Sequence, residues 1–99
     1  MEEFAKLQNQ VSEYDKKNGW TGDNKAHIVL HMQEELGEIA REILRYDKYK
    51  KENFSGENFG QEIVDLLYLT LKLANNFSID VDNEWSAAWS RYDKKVNRK

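Results

Sequence analysis

Two short clusters of acidic residues are the part of this sequence best suited to chemistry. The first contains Glu34, Glu35 and Glu38, and the second contains Glu62 and Asp65. Residues three positions apart lie on the same side of an α-helix, about one turn from each other. Glu35 therefore projects with Glu38, and Glu62 with Asp65. Two helices that each offer two carboxylates beside apolar residues predict a site for a hard divalent cation, with Mg²⁺ or Mn²⁺ as the candidates.

A divalent cation held in this way would suit reactions at phosphate groups. Such an ion lowers the pKa of bound water, and it neutralises phosphate oxygens as charge builds up in the transition state. Mg²⁺ usually keeps several waters and leaves positions for substrate oxygens. The residue types and their spacing therefore indicate phosphoryl or nucleotidyl chemistry.

Each cluster also has a structural explanation. A Glu-x-x-Glu pair commonly lies on a solvated helix face and forms ion pairs, here with Arg41 or Arg45. For Glu62 and Asp65 the alternative is a buried ion pair with Lys72 or with a basic residue of the last helix. The second cluster is the stronger evidence for a site, because its neighbours are almost all apolar and unpaired carboxylates are unfavourable there.

The apolar periodicity predicts helices that position the first cluster. One helix is predicted over residues 2–18, and a second from about 24 to about 48 with Asp23 as its N-cap. Glu35 is the acid closest to the apolar stripe, and close approach of another helix or a ligand would explain Gly37. The predicted core stripe of this helix is Ile28, Met32, Leu36, Ile39 and Ile43.

Two more helices are predicted after a polar segment over 46–58. The third, about 57–76 and capped by Ser55, is apolar almost all the way round, which is typical of a helix central to a bundle or covered by another subunit. Asp80 or Asp82 is the predicted cap of the last helix. The predicted inward face of that helix is Trp85, Ala88, Trp89, Tyr92 and Val96.

Length and composition limit the protein class. Ninety-nine residues without proline, a third of them charged, favour one all-α domain. A net charge of −3 with both signs interspersed argues against a nucleic-acid partner. The lack of cysteine excludes disulfides and thiolate chemistry. Because no signal-like or membrane-spanning stretch is found, we expect a cytoplasmic protein without a membrane partner.

The acidic motif resembles the signature of the all-α nucleoside triphosphate pyrophosphohydrolases of the MazG type. The residues that carry the resemblance are Glu34-Glu35-x-x-Glu38, a gap of 23 residues, and Glu62-x-x-Asp65. It extends from about Trp20, which lies at a suitable distance ahead of the double glutamate, to Lys95. The same superfamily contains the dimeric dUTPases, the dCTP pyrophosphatases and phosphoribosyl-ATP pyrophosphohydrolase.

The resemblance implies a fold, an activity and a set of catalytic residues. The implied fold is a four-helix bundle-like unit that assembles as a homo-oligomer, either a dimer or a tetramer. The implied activity is Mg²⁺-dependent cleavage of a (deoxy)nucleoside triphosphate into the monophosphate and pyrophosphate, as a house-cleaning reaction. By resemblance, Glu34 orients water, one of the glutamates takes its proton, and the metal ligands are Glu35, Glu38, Glu62 and Asp65.

Other residues have weaker functional indications. Trp20 is expected either to stack on a base or to plug the end of the bundle. By resemblance, Arg91 and Lys95 bind phosphates or base, although the family often has asparagine where this chain has Lys95. His27 and His31 share the acidic side of the second helix, where an imidazole serves as a ligand or as a half-buried polar neighbour.

Two alternatives to a general nucleotide pyrophosphohydrolase stay open. Phosphoribosyl-ATP pyrophosphohydrolase would use the same arrangement of carboxylates on a different substrate. A non-catalytic helical oligomer that binds a metal or a nucleotide would also need acidic helices. A di-iron bundle is disfavoured, because neither cluster contains the Glu-x-x-His pair of such sites.

Overall fold

A computed structural model describes residues 2–49 and 54–96 of the chain. The described part contains helices and turns but no strand, so the prediction of an all-α protein is confirmed. None of the described helices is both long and apolar enough to cross a membrane. Part of the predicted polar segment, residues 50–53, lies outside the described residues. The helices are α1 (Glu3–Lys17), α2 (Lys25–Leu44), a π-helix that continues α2 (Arg45–Tyr49), α3 (Gly56–Asn76) and α4 (Val81–Val96).

The helices α2 and α3 form an antiparallel pair that carries both acidic clusters. They pack along their lengths, while α1 packs on α3 and α4 packs mainly on α1. The end of α2 meets the region before α3 through Tyr46 and Phe54, whose ring centroids are 5.0 Å apart. Phe54 also contacts Phe59, in the first turns of α3, at 5.5 Å. The antiparallel arrangement places the two acidic clusters side by side.

The N-cap of α2 is Asn24, so the prediction of Asp23 was wrong. The Asn24 side-chain oxygen accepts hydrogen bonds from the backbone N–H groups of Ala26 (2.8 Å) and His27 (3.2 Å). Asp23 instead accepts a 2.6 Å hydrogen bond from the ammonium group of Lys72. Both residue types make good caps, and the tertiary partner of Asp23 determines which of the two is used.

Two other predicted caps are confirmed by their hydrogen bonds. The Ser55 hydroxyl accepts from the backbone N–H of Asn58 at 3.2 Å, at the start of α3. The Asp80 carboxylate accepts from the backbone N–H of Asn83 at 3.2 Å, at the start of α4. Each bond satisfies an N–H group that has no partner within the helix.

Asp82, the other cap candidate, serves a different helix. Its buried carboxylate accepts from the backbone N–H groups of Phe4 (3.2 Å) and Ala5 (2.9 Å), and so caps α1 from α4. Nearby, the Gln8 side chain donates to the Asn75 side chain, and the Asn75 amide donates back to the Gln8 carbonyl. These bonds fix α1 to the α3–α4 turn.

The apolar core of the single chain is thin. None of the described side chains is completely buried. In the predicted α2 stripe Ile28 is buried, but Leu36 is 56% exposed and Ile43 is 43% exposed, because α3 covers only one side of the stripe. A Cβ atom added at Gly37 would meet no described atom within 4 Å, so no close approach is seen there. The buried apolar residues are Val11, Ile28, Leu69, Leu71 and Ala74.

The helix α4 extends away from the α2–α3 pair. Trp85 packs on Phe4 with ring centroids 5.2 Å apart, but Trp89, Tyr92 and Val96 are at least half exposed, which contradicts their predicted inward orientation. The radius of gyration is 16.6 Å, whereas a compact domain of 100 residues has about 13 Å. The helices of one chain are therefore arranged openly, and closure into a bundle stays a prediction about the assembly.

Candidate functional site

The carboxylates of α2 and α3 lie close enough to influence one another electrostatically. Burial raises the pKa of Glu35 above its ordinary value of 4.5, and the charges of Glu38, Asp65 and Glu62 raise it further. The imidazole of His31, with Nε2 at 3.6 Å from Glu35 Oε1, acts in the opposite direction. The structure thus places Glu38, Glu62 and Asp65 near enough for their charges to act on Glu35. The region between α2 and α3 that carries these four carboxylates is called the acidic groove below.

Glu62 is the second acid of this groove whose pKa is raised. Burial raises its pKa, as do the charges of Glu42 and Glu38, while Arg41 and Arg45 lower it. Its Oε2 atom is buried and has no hydrogen-bond partner among the described residues. A buried carboxylate oxygen without a donor is unfavourable, and this atom is available to a cation.

Glu42 belongs to the groove, although the sequence analysis did not single it out. Its side chain is only 12% exposed, and its Oε1 lies 2.7 Å from Nη1 of Arg45. Arg41 and Arg45 were expected to form ion pairs with the first cluster; among the described residues the Arg45 pair is with Glu42, and neither Glu35 nor Glu38 takes part in it. The signal for Glu42 was its position four residues after Glu38, on the same side of α2.

The alternative explanation of the second cluster, an ion pair with Lys72, is not supported by the structure. Lys72 is buried, and its ammonium group lies 2.6 Å from Asp23 and 3.7 Å from Asp15. The Tyr68 hydroxyl donates a hydrogen bond to Asp15, and burial together with this bond raises the pKa of Tyr68. The ring of Trp20 lies 5.6 Å from the Lys72 ammonium group. Lys72 is therefore a structural cation at the other end of the α2–α3 pair.

The donor chemistry of the groove fits Mg²⁺, but the carboxylates are not drawn together around an ion. Among the described residues, no three acidic or histidine side chains are close enough to hold a metal as they stand. The pKa values of Glu35 and Glu62 are nevertheless raised, first by burial and then by the negative charge of neighbouring carboxylates. Side-chain rotation toward a cation would relieve that charge. Glu34, Glu38 and Asp65 are exposed and able to rotate.

A pocket continues the groove toward the start of α2. Its volume is about 250 Å³. His31 belongs to both regions, because it lines the pocket and also lies 3.6 Å from Glu35. From Glu38 to His27 the helix rises about 16 Å, at roughly 1.5 Å per residue. The residues that line the pocket are Asp23, Asn24, His27, Ile28, His31, Leu69 and Lys72.

The three candidate substrate-binding residues lie in different places. Trp20 is 41% exposed, with its ring edge-on to Tyr14 at 5.6 Å. Arg91 and Lys95 are exposed on α4, and the Arg91 guanidinium lies 5.9 Å from the ring of Tyr92. The charges named as acting on Glu35 and Glu62 belong to α2, to the π-helix that continues it and to α3. Because α4 packs mainly on α1, the structure does not bring Arg91 and Lys95 to the acidic groove of their own chain.

Comparisons of the chain with protein-family models, with curated proteins and with solved structures found no match. The resemblance to the MazG-type enzymes therefore depends on the motif residues alone. The functional argument has to be made from the groove and the pocket.

Proposed function

We propose that this protein is a Mg²⁺-dependent nucleotide pyrophosphohydrolase of the MazG type, which converts a (deoxy)nucleoside triphosphate into the monophosphate and pyrophosphate. The observation that supports this most is the buried, unpartnered Oε2 of Glu62 within a cluster of carboxylates from α2 and α3. Oxygen ligands on two neighbouring helices, with exposed carboxylates beside them, suit an ion that keeps waters and binds phosphate oxygens.

The proposal gives each acidic residue a role. Glu35, Glu38, Glu62 and Asp65 hold Mg²⁺ or Mn²⁺, and Glu34 orients water from the exposed edge of the groove. When bound, the ion supplies charge neutralisation at the phosphate oxygens and a lowered pKa for its water. A glutamate of the groove accepts the proton that this water loses.

The pocket beside the groove has properties that suit a nucleoside. It combines the apolar side chains of Ile28 and Leu69 with hydrogen-bonding groups from Asp23, His27 and His31, and it is smaller and more polar than a typical ligand pocket. A triphosphate in the acidic groove would place its sugar and base toward this pocket. Trp20, at the same end of the helix pair, is proposed to stack on the base. The roles of Arg91 and Lys95 remain predictions from the resemblance.

A homo-oligomer, either a dimer or a tetramer, is part of the proposal. Its support is the amount of apolar surface that the single chain leaves open on α2, α3 and α4. Monomeric soluble proteins rarely expose large contiguous apolar patches.

The direct test is pyrophosphate release from a panel of ribonucleotides and deoxyribonucleotides, with phosphoribosyl-ATP included, in the presence of Mg²⁺ or Mn²⁺. We expect turnover of at least one nucleotide, and a loss of at least about a hundredfold in kcat/KM for Glu38→Gln and for Asp65→Asn. Glu13→Gln, an exposed acid of α1, is the matched control and should keep full activity. If no nucleotide is cleaved with either metal, the enzymatic proposal is wrong.

Two alternatives have distinct outcomes in the same assay. Cleavage of phosphoribosyl-ATP alone would identify that more specific pyrophosphohydrolase. The absence of three tightly grouped ligands in the described residues favours, as a second candidate, a module that binds metal or nucleotide without turnover. Such a module would show Mg²⁺-dependent nucleotide binding in calorimetry and no pyrophosphate.

A further inference from the structure

The polar side of α2 carries three kinds of chemical group in a fixed order. His31, Glu38 and Arg45 are spaced by seven residues. At about 100° and about 1.5 Å per residue, these three positions form a row about 21 Å long and within about 40° of one another around the helix. Arg45 is the first residue of the π-helix, but its backbone is still α-helical, so the row continues to it. The row runs from the pocket at His31, past the carboxylates, to a guanidinium group.

The arginine end of this row lies near Glu62 of α3. Arg41 and Arg45 both lower the pKa of Glu62, so their positive charges reach the carboxylate whose Oε2 is buried without a partner among the described residues. The same end of α2 contacts the residues that precede α3, because the ring of Tyr46 packs on Phe54 with centroids 5.0 Å apart. The acidic groove therefore has a cationic end, opposite to the pocket.

Arg45 lies beside the groove with most of its hydrogen-bond donors unused. Its Nη1 lies 2.7 Å from Glu42 Oε1, and its side chain is 48% exposed. Within the described part of the chain this is its only side-chain hydrogen bond. A guanidinium group has five N–H donors in a planar fork, which matches the oxygens of a phosphate group. Arg41, one turn earlier, is exposed and forms no ion pair with another described residue.

The proposed orientation of the substrate brings phosphates to this cationic end. With the nucleoside toward the pocket at the start of α2, a triphosphate extends along the row toward Arg45. Water adds its oxygen to one phosphorus of the α–β anhydride, the bridging oxygen leaves with the other, and a groove glutamate takes the proton. The pyrophosphate that forms is strongly negative, and a guanidinium fork stabilises charge of this kind.

We infer that Arg45, together with Arg41, binds the β- and γ-phosphates of a nucleoside triphosphate. The groove then has a direction, from the nucleoside near His31 to the leaving pyrophosphate at Arg45. This inference rests on the proposed function, and it assigns a substrate class. A triphosphate reaches both arginines, whereas a diphosphate has one phosphate fewer beyond the cleaved bond, so the groove should prefer triphosphates.

Calorimetry with inorganic pyrophosphate in the presence of Mg²⁺ tests the arginines without any turnover. The wild type should bind saturably, and Arg45→Gln should bind at least about tenfold more weakly, because charge-assisted hydrogen bonds are lost. Arg41→Gln should also bind more weakly. Arg45→Lys keeps the charge but not the fork, so its affinity should lie between those of the wild type and Arg45→Gln. Lys6→Gln removes the same charge from an exposed position of α1 and should bind as the wild type does.

Calorimetry with Mg²⁺ alone separates the arginines from the carboxylates. Arg45→Gln should bind Mg²⁺ at least as tightly as the wild type, because a positive charge has left the groove, whereas Glu62→Gln should bind it more weakly. Retained Mg²⁺ binding also shows that the variant is folded. If Arg45→Gln loses Mg²⁺ and pyrophosphate together, the inference is wrong, because the arginine then supports the carboxylates and not the phosphates.

Turnover provides the test of the substrate class. For a nucleoside whose triphosphate is cleaved, Arg45→Gln should lower kcat/KM at least about tenfold for the triphosphate and clearly less for the diphosphate. Equal losses for the two substrates would overturn the inference, as would a wild type that binds no pyrophosphate or an unchanged pyrophosphate affinity in Arg45→Gln. Each of these results leaves the proposed function standing if nucleotides are cleaved. A protein that cleaves no nucleotide but binds pyrophosphate through Arg45 would overturn the proposed function instead.

Discussion

The ammonium group of Lys72 lies 2.6 Å from the Asp23 carboxylate and joins the last turns of α3 to the loop before α2. The Lys72 side chain is 5% exposed, and the buried carboxylate of Asp15 lies on its other side at 3.7 Å. The rings of Trp20 and Tyr68 lie within 6 Å of the same ammonium group. One buried cation thus organises α1, α3 and the loop that carries Trp20.

Replacing this cation should destabilise the fold. In Lys72→Met, Asp15 stays buried and keeps its hydrogen bond from Tyr68 but loses its cation. We expect the free energy of unfolding to fall by about 3 kcal/mol, as when one partner of a buried ion pair is removed. Urea unfolding measures this, with the exposed Lys6→Met as the control. Equal stabilities of the two variants would show that Lys72 is not a structural cation.

A substitution of Trp20 distinguishes a role in base stacking from a purely structural role. If its ring stacks on a base, Trp20→Ala should lower kcat/KM for nucleotides about tenfold or more, mainly through KM, since stacking contributes roughly 1–3 kcal/mol. Trp89→Ala, on the exposed face of α4, is the matched control. A loss of stability in Trp20→Ala without any change in KM would support the plug interpretation instead.

The acidic groove should make stability depend on pH in the absence of Mg²⁺. The pKa values of Glu35 and Glu62 are raised by burial and by neighbouring carboxylates, so the folded state keeps protons that the unfolded state releases. The contribution of these two groups to the free energy of unfolding should therefore be greatest at and below pH 4.5, the ordinary pKa, and be lost as the pH rises through the raised values. This contribution adds to those of all other titrating groups, so it is measured as a difference between variants.

Glu62→Gln isolates the contribution of one carboxyl group. The variant lacks the buried charge, so its melting temperature at pH 7.5 without Mg²⁺ should exceed that of the wild type, and the difference should shrink toward pH 4.5. The exposed acid of α3, Glu57→Gln, serves as the control. A lower melting temperature for Glu62→Gln at pH 7.5 would contradict the assignment of excess charge to the groove.

The helices could be predicted from the sequence because their signals are local. Apolar spacing indicated all four helices, and it gave most ends of the first three to within about one residue. The Ser55 and Asp80 caps follow from side-chain type. The exception is α2, whose α-helical part ends at Leu44 before a π-helix. The prediction of Asp23 as the N-cap of α2 failed because Asp and Asn have nearly equal capping preference. The Asp23 carboxylate instead accepts a hydrogen bond from the distant Lys72.

Tertiary placement was less predictable. The sequence gives no local reason for Lys72 to be buried between two aspartates, since its partners lie 49 and 57 residues away. Periodicity also marked Leu36 and Trp89 as inward-facing, and both are exposed in the single chain. An apolar face looks the same in sequence whether its partner is the same chain or a second copy.

The groove itself was predicted in part. The i, i+3 spacing predicted that Glu35 lies beside Glu38, and the charge of Glu38 does act on Glu35. The antiparallel pairing of α2 and α3 also brings Glu62 and Asp65 within electrostatic reach of Glu35. The spacing within α2 places Glu42 on the same side as Glu38, but its electrostatic interaction with Glu62 depends on the approach of α3. The sequence also could not predict that Arg91 and Lys95 lie on a helix that packs mainly on α1.

Titration calorimetry with Mg²⁺, and with Mn²⁺ in parallel, tests most directly whether the carboxylates of α2 and α3 form a cation site. The account predicts saturable binding to the wild type and binding at least about tenfold weaker for Glu62→Gln and Asp65→Asn, while the exposed control Glu13→Gln binds as the wild type does. Binding that is absent from the wild type, or unchanged in Glu62→Gln and Asp65→Asn, would contradict it.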